Sequence, residues 1–136
     1  MKKELVLCIA LIQILAGCAT EYRKKDETGG YSEIQLAEDT WRVRFDYSRF
    51  TQKEQIVDFP LLRSAELTLQ SGYSYFSISD TPASSRGSDS NKAGPALLSR
   101  EVKVKMFSLP PLGEVAHYDA KAVCDRLGNW YQERCR

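Results

Sequence analysis

No run of eighteen apolar residues occurs in this chain, so a permanent membrane-spanning helix is its weak reading. Histidine is nearly absent: His117 is the single one in 136 residues. A metal centre built on paired imidazoles is thereby excluded, and only one imidazole is left as a general base. There is no G-x-S-x-G turn and no phosphate-cradling glycine loop, which removes the usual marks of a serine hydrolase and of a nucleotide site. An excess of one charge is also missing, since 19 Lys and Arg face 18 Asp and Glu for a net charge of +1. Near neutrality gives no electrostatic case for nucleic acid or for an anionic surface. No internal repeat is visible.

What the chain does have begins at its first residue, with "MKKELVLCIALIQILAGCAT". Lys2 and Lys3 precede an apolar run from Leu5 to Leu15, and Ala16-Gly17-Cys18 comes next. That order is a secretory signal over residues 1–17. As a helix the apolar run spans about 16 Å, too short for a hydrocarbon core of about 30 Å. Leu15-Ala16-Gly17-Cys18 resembles the bacterial lipoprotein box. The resemblance implies a diacylglycerol on the Cys18 sulfur, cleavage between Gly17 and Cys18, and acylation of the new amino group. Small side chains admit the backbone to a protease cleft, and the thiol is the nucleophile that takes the lipid. Two or three acyl chains, at about 0.8 kcal/mol per buried methylene, make a lasting anchor. Ala19, standing where an Asp would imply inner-membrane retention, implies by the same resemblance an outer-membrane lipoprotein whose domain faces the periplasm. The plainer alternative is a signal peptide that merely happens to end in Cys. Cys8 leaves with the signal.

From Cys18 the mature chain runs to Arg136, about 120 residues and enough for one domain with a real core. Residues 18–30, including "ATEYRKKDETGG", read as the lipidated cysteine and a solvated tether, because the stretch is charged, almost free of aliphatic residues and ends in two glycines. Residues 31–136 form the domain, with a mobile loop expected over 80–96, where "DTPASSRGSDSNKAGP" is rich in Ser, Gly and Pro.

Within the domain, "TWRVRFDY" alternates Trp41, Val43, Phe45 and Tyr47 against Arg42, Arg44 and Asp46, which predicts a strand with one wet face. "YSEIQL" predicts a shorter strand before it, with a turn over Ala37 to Thr40. Tyr73 to Ser79 and Arg100 to Phe107 predict two more, joined by the loose loop as antiparallel neighbours. "TQKEQIVDFPLLRSAELTLQSG" reads as helix, with capping-box spacing at Thr51 and Glu54 and Gly72 in the left-handed C-terminal position. Leu62, Ala65 and Leu69 make its apolar stripe, with Arg63, Glu66 and Gln70 turned elsewhere. Pro60 costs about 3 kcal/mol inside a helix. The helix therefore either kinks there or, as preferred, starts at Asp58 as N-cap with Pro60 in the first turn. A second helix starts near Tyr118, capped by Asp119, with Ala120, Val123, Leu127 and Trp130 as its stripe. The sum is an α+β sandwich: a small, mostly antiparallel sheet of three or four strands with two helices on one face.

Cys124 and Cys135 are eleven positions apart. In an unbroken helix they would lie about 16 Å apart along the axis, beyond the roughly 7 Å Cα separation a disulfide tolerates. An exported chain with two remaining thiols nevertheless favours pairing them. A helix stop at Gly128-Asn129, letting the tail fold back, would allow it.

"GYSEIQLAEDTWRVRF" and "LLRSAELTLQSGYSYF" also resemble a family of small bacterial lipoproteins without an assigned activity. The matching positions are Gly30, Tyr31, Ser32, Trp41, Leu61, Leu62, Arg63, Ala65, Glu66, Leu67, Thr68, Gly72, Tyr73, Tyr75 and Phe76. Pro60 and the long Ser-rich loop depart from that pattern. The resemblance implies an address at the cell envelope and no chemistry.

Chemistry-bearing groups are few. His117 stands at an expected helix start and reads as a loop or capping residue, and His117, Asp119 and Cys124 lack ligand spacing for a metal. Arg63 and Glu66 read as a solvated i,i+3 ion pair, or else as a clamp reaching Ser32 or Tyr31 to pin the tether. Tyr47, Trp41, Tyr73, Tyr75 and Phe76 are core, or alternatively a sugar-stacking surface. Two functions remain. One is a non-catalytic envelope lipoprotein that holds membrane lipid through Cys18 and binds another envelope protein or peptidoglycan, without cofactor or nucleic acid. The other is a small lipid-anchored hydrolase of cell-wall material.

Overall fold

The computed structural model describes residues 20–82, 97–133 and 135. The signal segment, Cys18 and positions 83–96 of the expected loop lie outside the described residues. Asp80 belongs to a strand.

β1 (Gly30–Ala37) and β2 (Thr40–Tyr47) form a hairpin, and α1 (Lys53–Gln70) comes after it. β3 (Tyr75–Asp80) and β4 (Leu98–Phe107) pair antiparallel with each other. The two-residue β5 (Tyr118–Asp119) joins the free edge of β3, in the sheet order β1-β2-β4-β3-β5. The class is α+β, with one antiparallel sheet of five strands rather than the three or four expected. β5 stands where the pattern predicts the start of a helix, because two residues are too few to show an alternation.

The inward positions are those the period-two pattern picks out. Val43 and Phe45 of β2, Phe76 of β3 and Val102, Val104 and Met106 of β4 are all buried. All but Phe45 cluster with Leu61, Leu62, Ala65 and Leu67 of α1 and with Ala120, Val123 and Leu127 from the C-terminal helical segment, while Phe45 meets Phe59 of α1 edge-on at 5.2 Å. Each of the Val, Leu, Phe and Met side chains contributes about 1.5–3 kcal/mol of burial.

α1 begins at Lys53 with Gln52 as N-cap, not at Asp58, and carries Pro60 in its interior. Pro60 cannot donate to the Ile56 carbonyl one turn back. The Arg100 Nη1 of β4 lies 3.5 Å from that carbonyl oxygen and donates in its place. The helix buries a broad face, Phe59 to Leu62 and Ser64 to Thr68, so the expected stripe is corrected at both margins. Leu69 is exposed, whereas Glu66 is only 5% exposed. The buried hydroxyls are satisfied within the helix: Ser64 donates to the Pro60 carbonyl at 2.7 Å and Thr68 to the Ser64 carbonyl at 2.7 Å. Gly72 takes φ 81° just after the helix end.

The C-terminal segment runs α2 (Ala120–Val123), a π-helical turn (Cys124–Gly128) and α3 (Asn129–Tyr131). Asp119 caps it by accepting the Ala122 N–H at 2.9 Å. The expected stop at Gly128-Asn129 is absent. Gly128 is helical, and Gln132 turns the chain at φ 57°. What Gly128 supplies is room, since a Cβ there would sit 2.7 Å from the Glu133 carbonyl oxygen. The tail folds back, and Cys124 and Cys135 are joined by a disulfide with Cα atoms 5.7 Å apart. The π turn adds a residue to the helical period and rotates the next turn of helix about the axis. Trp130, expected in the apolar stripe, is therefore 78% exposed. Tyr131 packs inward instead, edge-on to Phe59 at 4.9 Å, with its hydroxyl donating to Asp58 at 2.8 Å.

The largest correction concerns residues 20–30, expected as a solvated tether. Thr20 is 4% exposed. Its N–H donates to the Thr51 hydroxyl at 3.2 Å, and its own hydroxyl accepts the Ser48 N–H at 3.0 Å. The Tyr31 N–H donates to the Arg23 carbonyl at 2.8 Å and the Lys25 N–H to the Tyr31 carbonyl at 2.7 Å. Gly30 (φ 122°) is a close crossing rather than a hinge, for a Cβ there would lie 2.5 Å from the Arg23 carbonyl oxygen. Composition signalled solvation because it counts neither the backbone bonds nor the distant partners of Thr20, Tyr22 and Lys25, which are Thr51, Glu66 and Asp46.

Candidate functional site

The docked N-terminal segment, β1 and α1 meet around one buried ionic cluster. Arg63 and Glu66, three apart on α1, share a helix face. Glu33 lies opposite Val43 and Tyr31 opposite Phe45 in the β1–β2 register, which puts both on the core-facing side of β1. Arg63 donates through Nη1 to Glu66 Oε2 and through Nη2 to Glu33 Oε1, both at 2.8 Å. Its guanidinium lies 4.6 Å from the centre of the Tyr31 ring. The Tyr22 hydroxyl donates to Glu66 Oε2 at 2.6 Å, and the Tyr22 ring meets Tyr31 at 5.1 Å and Phe59 at 5.3 Å. Side-chain exposures of 12% for Arg63 and 7% for Glu66 replace the solvated ion pair with a buried one.

Charge and burial act together here. Burial pushes the Tyr22 phenol well above its ordinary value, and the Glu66 carboxylate beside it adds to the shift. Burial alone would lower the Arg63 guanidinium, but its bonds to Glu33 and Glu66 outweigh that and hold it above its usual range. The Tyr31 phenol is raised by burial, partly offset by Arg63.

Tyr22, Tyr31, Arg63, Glu66, Gln70, Gln132 and Glu133 line a cleft of about 490 Å³ over this cluster. The disulfide-closed tail supplies its far wall through Gln132 and Glu133. Its lining of two phenols, two carboxamides, a guanidinium and two carboxylates suits a polar ligand rich in hydroxyl or amide groups. Glu66 is held by Tyr22 and Arg63 together, an arrangement that positions a segment rather than one that frees a base. Among the described residues, no three His, Cys, Asp or Glu are grouped to hold a metal ion.

No family model, curated protein or solved structure matches this chain.

Of the residues singled out by sequence, Arg63 and Glu66 are brought together with Tyr31, but Ser32, opposite Arg44, points to the other side of the sheet. Sequence reasoning misses Tyr22 and Glu33. Tyr22 carries a signal, as the sole aromatic in a charged stretch. Glu33 carries none, because its partner lies 30 positions away. His117 is exposed, with Nδ1 2.9 Å from the Val115 carbonyl, while Asp119 is a helix cap and Cys124 is in the disulfide. The aromatic candidates do not share one surface. Phe76 is fully buried, Trp41 and Tyr73 pack against the core, Tyr47 stacks on Phe45 at 5.8 Å, and Tyr75 meets His117 at 6.0 Å.

Proposed function

We propose that this protein is a lipid-anchored envelope lipoprotein, held at the outer membrane by acylated Cys18, whose periplasmic domain has a non-catalytic binding or structural role. The observation that carries this reading is Leu15-Ala16-Gly17-Cys18 at the end of an eleven-residue apolar run with a basic start. The Cys124–Cys135 bridge supports it, because such bridges persist in oxidising compartments. The buried cluster supports the non-catalytic part: Tyr22, Glu33, Arg63 and Glu66 act together as a latch fastening the chain's N-terminal segment to the domain. The cleft above the latch is the proposed place for a polar envelope ligand such as a peptidoglycan fragment or a peptide.

Cys18→Ser tests the anchor. The variant should accumulate as a larger, uncleaved and unlipidated precursor and lose the acylated form. Unchanged size together with unchanged, detergent-like membrane partition would refute the proposal.

A further inference from the structure

Docking of the N-terminal segment has a geometric consequence for a chain anchored at Cys18. Thr20 is buried and bonded to Ser48 and Thr51, so only Ala19 stands between the fixed backbone and the anchor, two residue steps in all. Two residues reach at most about 7 Å. The end of the molecule that carries Thr20 is therefore held at the membrane.

The strand register identifies that end. Gly30 pairs with Asp46 and Tyr47 with Leu98, so the start of β1, the end of β2 and the start of β4 lie together, with the Ser48–Gln52 turn at the same place. At this end Phe50 is 58% exposed and Leu98 is 53% exposed. The Arg49 guanidinium sits 4.8 Å from the Phe50 ring centre. Arg49 and Lys53 are exposed, and neither forms an ion pair among the described residues. An exposed aromatic flanked by cations matches a bilayer interface, where the ring enters the headgroup region and the cations meet phosphate.

We propose that the Ser48–Lys53 turn, with Phe50 at its tip and Leu98 beside it, is a second membrane contact that seats the domain directly on the phospholipid surface. This rests on the lipoprotein reading, since the short lead from Cys18 is what brings the turn to the bilayer. The domain as a whole is neutral and Glu54 is exposed next to Lys53, so the contact orients the domain and does not replace the acyl anchor. The cleft, lined on α1 by Arg63, Glu66 and Gln70, would then stand at a fixed height, its α1 wall about 15–25 Å along the helix from the membrane end.

The test uses the mature lipoprotein in phosphatidylethanolamine–phosphatidylglycerol vesicles, with Phe50→Cys, Gln52→Cys or Leu112→Cys carrying a fluorophore. Leu112 is 96% exposed, in the segment between the end of β4 and β5, and marks the opposite end of the sheet. Headgroup-nitroxide lipids should quench positions 50 and 52 several times more strongly than position 112, independently of protein density. Equal quenching at all three positions in protein that floats with the vesicles overturns the contact and leaves the anchor standing. Shielding that grows with protein density assigns the patch to a second copy and overturns the proposal. Protein that fails to float overturns the anchor, and the contact with it.

Discussion

Replacing Arg63 with Met asks whether the latch holds the domain together. Met keeps much of the apolar stem over Tyr31 and removes the charge. Glu66, 5% exposed, would keep the Tyr22 hydroxyl but lose its cation, and Glu33 would lose its 2.8 Å partner. Leaving a buried charge without its partner costs about 3–5 kcal/mol. Glu33, with 18% side-chain exposure, recovers some solvation, which places Arg63→Met near the lower figure, about 3 kcal/mol. For a domain of this size that is a fall of roughly 10 °C in Tm. Thermal unfolding by near-UV circular dichroism measures it, and hydrogen exchange over residues 20–31 should rise together with the loss. Adding Glu66→Gln should restore part of the stability by removing the stranded carboxylate. Lys121→Met, which breaks the exposed pair with Asp125, should leave Tm unchanged. An Arg63→Met protein with native Tm and native exchange over residues 20–31 would refute the latch.

Tyr22→Phe removes the hydroxyl bonded to Glu66 and should destabilise by about 1.5–3 kcal/mol at neutral pH, read from denaturant midpoints. The same residue sets an alkaline limit. The phenol's folded pKa is raised above 10.0, so its contribution is intact below pH 10.0 and is lost as pH climbs from there through the folded value. Between pH 10.0 and 11, stability of the Tyr22→Phe protein should fall less than that of the native protein, by about 1 kcal/mol over the unit, because the unfolded phenol is only half ionised at pH 10.0. Cys124→Ser/Cys135→Ser opens a loop of eleven residues and should cost about 3 kcal/mol in chemical denaturation, with increased mobility of Gln132 and Glu133 along the cleft wall. Gly30→Ala should undock the N-terminal segment, because the new methyl meets the Arg23 carbonyl at 2.5 Å at an unfavourable φ; proteolysis after Lys24 and Lys25 would report it as faster cleavage.

The parts of the fold legible in sequence are those fixed by neighbours along the chain. β2 occupies Thr40–Tyr47, the span of its alternation, and Gly72 takes the left-handed position that the end of a helix requires. Features fixed by distant partners are not legible. Pro60 is tolerated in mid-helix because Arg100, 40 positions on, donates to the carbonyl it strands. β1 carries its aliphatic residues outward: Ile34 is 60% exposed, while Glu33 turns in to meet Arg63. An alternation read alone cannot tell which of its two faces is inside. The tether expectation fails for a related reason, since backbone bonds and a glycine crossing leave little trace in composition. At the site, Arg63 and Glu66 are identifiable by their spacing, but their burial depends on Tyr22 and Glu33 arriving from 30 or more positions away.

The intact mass of the N-terminal peptide of the mature protein bears most directly on the central claim. A lipoprotein matured at Cys18 yields a peptide beginning at Cys18 and heavier than its sequence by a diacylglyceryl group and an amide-linked acyl chain. A peptide that begins upstream of Cys18, or one that begins at Cys18 with an unmodified thiol, would contradict it.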